Sequence, residues 1–121
     1  MSARQHIEPF LLRDVFPDVA KELRTLLLAG GESLLAGQVE SLRIVDRCRC
    51  TDDFCAMFYT VPRPAQLPWG PGHRNVALVP QHGDLILDVV DDRIVAVEIL
   101  FRDEIRDKLR SIMPEAHTGP G

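Results

Sequence analysis

All three cysteines of the chain fall within one short stretch, Cys48-Arg49-Cys50-Thr51-Asp52-Asp53-Phe54-Cys55. As thiolates they are soft ligands for zinc, which takes four nitrogen or sulfur donors in a tetrahedron. His73 or His82 would then be the source of a fourth donor. As nucleophiles or redox groups they need a base, a cation or a helix start to lower a pKa, and Arg47 and Arg49 are the cations at hand. The spacing argues against the metal. Zinc knuckles use Cys-x2-Cys, whereas two sulfurs of Cys-x-Cys on an extended strand stand ~6.5–7 Å apart, too far for one ion without a bend. A plainer role is that of small core hydrophobes beside Leu42 and Ile44. The expectation is no cofactor, with zinc or thiol redox chemistry on Cys48, Cys50 and Cys55 as the alternative.

A second candidate lies in Pro62-Arg63-Pro64-Ala65-Gln66-Leu67-Pro68-Trp69-Gly70-Pro71-Gly72-His73-Arg74-Asn75, where four prolines and two glycines interrupt regular pairing. Long loops in small domains often carry function. Trp69, His73 and Arg74 have the side chains of a recognition hot spot, large in area and directional in bonding. Either they contact a partner, or Trp69 folds back as a lid over the sheet edge. His73 with a nearby carboxylate, in a pocket under this loop, would make a small enzyme.

The third candidate is a row of arginines. On a strand from Leu42 to Cys50, alternation puts Arg43, Arg47 and Arg49 on one face, and Leu42, Ile44, Cys48 and Cys50 on the other. With Arg63 and Arg74 these arginines would meet an acidic or phosphate-bearing partner, or else form a solvated surface. Asp88 and Glu98 interrupt apolar strands. Across a two-residue Asp91-Asp92 turn, Asp88 opposes Val95 and Glu98 opposes Leu85, so the two face opposite sides of the sheet and form no dyad.

The elements that would carry these groups read clearly at both ends. An arm through Val15 precedes a helix starting at Pro17, a residue suited to a first turn. Phe16, Val19, Ala20, Leu23, Leu26 and Leu27 repeat on one face, and Gly30-Gly31 ends the helix. A shorter helix follows over about 32–40, weakened by Gly37. The hairpin of Leu42–Cys50 with Phe54–Val61 comes next, rich in aromatic and β-branched residues. After the loop come strands over 76–80, 84–90 and 93–101. A last helix spans about 103–113, with Ile105, Leu109, Ile112 and Met113 on its buried face. The order α-α-β-β-loop-β-β-β-α implies α+β: an antiparallel sheet of about five strands with terminal helices on one face.

The 121 residues, 45% hydrophobic and 26% charged, suit one globular domain, with residues 1–15 an arm and 114–121 a loose tail. A net charge of -4 argues against a general nucleic-acid binder. No stretch approaches the ~20 apolar residues needed to span a bilayer. The expected compartment is cytoplasm, where an odd count of thiols stays reduced.

Two stretches carry a resemblance. Arg43-Ile44-Val45-Asp46-Arg47-Cys48-Arg49-Cys50 with Phe54-Cys55-Ala56-Met57-Phe58-Tyr59-Thr60, and the hairpin from Gly83-Asp84-Leu85-Ile86-Leu87-Asp88 to Glu98-Ile99-Leu100, resemble small uncharacterised bacterial proteins. The resemblance implies a bacterial, cytoplasmic origin, and it brings no activity or catalytic residues with it. Lacking any phosphate loop or catalytic motif, the chain reads first as a non-catalytic protein-binding module, with an immunity-type toxin inhibitor as its concrete form.

Overall fold

A computed structural model describes residues 10–62 and 69–114. Most of the N-terminal arm, Arg63, His6, His117 and the tail beyond Pro114 lie outside these. The elements are β1 (Phe10–Leu11), α1 (Leu12–Val15), α2 (Pro17–Ala29), α3 (Ser33–Ala36), a 3-10 turn (Val39–Ser41), β2 (Arg43–Ile44), β3 (Asp46–Arg47), β4 (Phe58–Tyr59), β5 (His73–Leu78), β6 (Asp84–Val90), β7 (Arg93–Leu100) and α4 (Asp103–Ile112). The fold is α+β. A five-stranded antiparallel sheet of order β3-β4-β7-β6-β5 is joined by a two-stranded sheet of β1 and β2.

α2 buries the face expected of it, with Val19, Ala20, Leu23 and Leu27 inward. α4 buries Ile105 and Leu109. Together with Leu12 and Leu35 they cover one face of the sheet, formed by Phe58, Val76, Leu85, Leu87, Val89, Ile94, Val97 and Ile99. Each fully buried aliphatic or aromatic side chain here contributes about 1.5–3 kcal/mol. The arm is thus part of the core through Leu12. The second helix is split at Gly37 into α3 and the 3-10 turn.

Two departures from simple alternation decide where chemistry can sit. First, the expected strand from Leu42 to Cys50 belongs to two sheets. Ile44 pairs with Phe10, while Asp46 pairs with Tyr59, and Val45 bridges the two. Ile44 and Arg47 are both buried, three residues apart, so parity is broken between them. A one-residue slip flips every later side chain to the other face. Arg47 therefore does not face outward: it is 3% exposed.

Second, β6 and β7 are joined by a two-residue turn in which Asp91 and Asp92 both take positive φ, 49° and 64°, the geometry that suits strand twist. A bulge then follows at Asp88/Val89, so Asp88 pairs with Ala96 and Ile86 with Glu98. The extra residue, Val95, moves Asp88 and Glu98 onto the same face, correcting the expectation that they lie apart. That face is the one the helices leave uncovered. β5 also begins earlier than expected, with His73 opposite Val90. His73, Arg74 and Asn75 are strand residues, so only the segment before them is loop.

Candidate functional site

The thiols converge. β3 ends at Arg47, and Cys48 keeps one ladder bond, its N–H donating to the Met57 carbonyl at 2.8 Å. Beyond that the chain leaves extended geometry and curls over Asp52-Asp53. Cys55 returns to the sheet opposite Leu100, and Ala56 N–H donates to the Ile99 carbonyl at 2.8 Å. The Sγ atoms of Cys48, Cys50 and Cys55 lie within 4.8 Å of one another, all partly buried. The bend that an extended Cys-x-Cys lacks is supplied by the end of the strand. Their expected role as core companions of Leu42 and Ile44 is corrected by the break at Val45: Cys48 shares a register row with Met57 and Glu98, on the open face.

α4 and the arginines hold this loop. Arg110 Nη2 donates to the Asp52 carbonyl at 2.7 Å, and Arg106 donates to the Asp53 carbonyl. From β3, Arg47 donates through Nε to the Met113 carbonyl and through Nη1 to that of Cys48 at 3.1 Å. Arg49 donates to the Pro114 carbonyl at 2.8 Å and to Asp46 Oδ1 at 2.8 Å. Two cations thus meet carbonyls at the C-terminal end of α4, where the helix dipole favours positive charge. Arg106 and Arg110, one helical turn apart, were the positioning residues that sequence reasoning missed. Their i,i+4 spacing was the available signal.

The three thiols are unequal. Burial raises the Cys50 thiol, but the Asp52 backbone N–H and hydrogen bonds from Cys55 and Cys48 outweigh it and leave Cys50 below the usual thiol range. Burial pushes Cys55 up to about 12, with the Cys50 and Cys48 sulfurs adding to the rise. Cys50 is thus the more acidic of this pair and Cys55 the one held protonated. Among the described residues no other metal-binding group of this kind occurs, and neither His73 nor His82 joins it. His82 instead lines a shallow groove of about 450 Å³ with Lys21, Glu22 and Arg102.

The other expected binding residues scatter. Arg43 is exposed on β2. Arg74 forms a two-pronged pair with Glu32, at 3.1 and 3.2 Å, that holds the Glu32 carboxyl below its usual range. Trp69 is half-buried and packs on Tyr59 at 6.1 Å and His73 at 6.5 Å between ring centroids. Beside it is a second polar group. His73 Nε2 lies 2.8 Å from Asp88 Oδ1, which also accepts from Asn75 Nδ2 at 2.8 Å.

Among the described residues no helix is long and apolar enough to cross a membrane. Comparison with protein-family models, curated proteins and solved structures finds no match to this chain.

Proposed function

We propose that the protein is a small metal-binding module in which Cys48, Cys50 and Cys55 hold one zinc ion. The observation that carries this reading is the convergence of three sulfurs within 4.8 Å. Tetrahedral thiolates at the usual zinc–sulfur length of ~2.3 Å stand about 3.8 Å apart, so closing onto an ion requires shifts of about 1 Å or less. Three further features support it. The loop is fixed by backbone acceptors to four arginines, which is the pre-organisation a binding site needs. Arg47 holds the backbone of the first ligand itself, donating to the Cys48 carbonyl at 3.1 Å. Cys50, the more acidic thiol, is the easier to deprotonate, and the ion displaces the proton that burial holds on Cys55.

Zinc content measured on protein purified without chelator is expected at one ion per chain, with three thiols protected from alkylation until the metal is stripped. Cys50→Ser should lose the ion while keeping the fold. Metal-free protein with three freely titrating thiols, even after incubation with zinc, would end this reading.

The reading as a partner-binding module, with a toxin inhibitor as its sharpest form, draws on a different place than the Trp69 loop. Phe54 and Phe101 stack at 5.3 Å while 42% and 60% exposed, and Phe101 holds a positive φ of 63°. An exposed aromatic pair kept in a backbone conformation costing of order 1 kcal/mol is a candidate hot spot. A stoichiometric complex with one host protein, lost in Phe101→Ser and kept in Cys50→Ser, is the expected result. A complex indifferent to Phe101 would remove this surface from consideration.

A further inference from the structure

The open face of the sheet holds a second constellation that a thiolate centre does not use. Asp88 is buried, its side chain 6% exposed. Its Oδ1 is occupied twice, by His73 and Asn75, but its Oδ2 is buried without a hydrogen-bond partner. An ionised carboxylate oxygen left so is costly. The neighbour that can answer it is Glu98, diagonal to Asp88 across the β6–β7 ladder because of the bulge. Two ionised carboxylates offer each other only acceptors. A proton on Glu98 converts the clash into an O–H donor aimed at a waiting acceptor.

We propose that Glu98 and Asp88 share one proton at neutral pH, and that this pair of a half-buried carboxyl and a buried carboxylate, backed by His73, makes the open face of β5–β7 a proton-sensitive device. The surroundings favour it. Taking register rows along the face, the titratable groups near Glu98 are Asp88 and Asp84 on β6, His73 on β5, Tyr59 on β4, Asp46 on β3, and the thiols of Cys48, Cys50 and Cys55. None of these is a lysine or arginine; Arg93 stands at the hairpin end, opposite Val90, and Arg49 is engaged by Asp46 and the Pro114 carbonyl. A second negative charge on Glu98 therefore has no cation in its own rows to meet. Consistently, burial pushes Glu98 up to about 7 from 4.5, with Asp88 adding to the rise.

The direction of the effect follows. The folded state holds a proton that the unfolded chain gives up near pH 4.5, so stability falls as pH rises from about 5 to about 7 and levels off above that. A carboxylate paired with a cation acts in the opposite sense. Trp69, the single tryptophan, stands against His73 and Tyr59 and reports on this face.

The test uses the full chain and Glu98→Gln, whose amide donates to Asp88 Oδ2 at every pH. Urea unfolding of the wild type between pH 5 and pH 8 should show the unfolding constant rising by roughly tenfold or more. Trp69 emission should titrate over the same interval. In Glu98→Gln both should be flat within about twofold, and the variant should be the more stable protein at pH 8. His73→Gln should keep the wild-type dependence. A wild type flat across this range, a Glu98→Gln profile unchanged from wild type, or a dependence that vanishes only with His73, would each overturn the proposal. The cysteine variants leave the profile untouched, so its failure and that of the metal reading are separate results.

Discussion

Replacing Arg47 by methionine tests how the thiol loop is built. Methionine keeps the unbranched stem, so the packing of the buried methylenes survives and only the guanidinium is lost. Two of the acceptors it leaves behind are the Met113 carbonyl, at the end of α4, and the Cys48 carbonyl, at the first thiol. Hydrogen bonds from a charged donor contribute about 1.5–3 kcal/mol each, and a buried acceptor left open costs about 1–3 kcal/mol. Against this stands the relief of no longer burying a cation at 3% exposure, which can offset several kcal/mol when the partners leave as well. Here the carbonyls remain, so the loss wins. A net destabilisation of about 2–4 kcal/mol is expected, read as a lower urea midpoint at constant slope. Because the same guanidinium orients Cys48, zinc affinity should fall by at least tenfold under conditions where the variant is still folded. A midpoint within about 0.5 kcal/mol of wild type, with zinc affinity unchanged, would refute the idea that Arg47 fixes the loop to α4.

Other substitutions and reagents give independent checks. Gly83 sits at a positive φ of 72°, and a Cβ there would lie 2.6 Å from the Leu100 carbonyl oxygen. Gly83→Ala should therefore cost about 2–4 kcal/mol by thermal or urea unfolding; a neutral result would mean the β6–β7 edge is looser than described. In metal-free protein at neutral pH, iodoacetamide should modify Cys50 well ahead of Cys55, following their thiolate fractions. Peptide mapping that finds Cys55 alkylated ahead of Cys50 would contradict the asymmetry of the cluster.

The helices and the long hairpin were legible because their residues obey a period. Val19, Ala20, Leu23 and Leu27 recur at helical spacing, and the valines and isoleucines of β6 and β7 leave little alternative to a buried strand. The candidate sites were misplaced for one physical reason, stated twice. Alternation carries a face assignment along a strand only while the strand continues. Val45 hands the chain from the small sheet to the large one, which swaps Arg47 with the cysteines. The bulge at Asp88 adds a residue to β7 and swaps Glu98. Neither event has a composition signal, since Val45 and Val95 look like any other strand residue. Where the thiols meet was hidden in turn, because Cys-x-Cys is too long for one ion only if both residues stay extended. His73 read as a loop residue because Gly70, Pro71 and Gly72 precede it, although its pairing with Val90 needs no help from them.

The convergence of Cys48, Cys50 and Cys55 on one ion is the central claim, and X-ray absorption at the zinc edge tests it most directly. The prediction is three sulfur scatterers at about 2.3 Å, with any remaining contact a lighter atom near 2.0–2.2 Å. In Cys50→Ser the sulfur count should fall and the site should empty on mild dialysis. A spectrum showing a first shell of oxygen and nitrogen alone, in protein carrying zinc, would contradict the account.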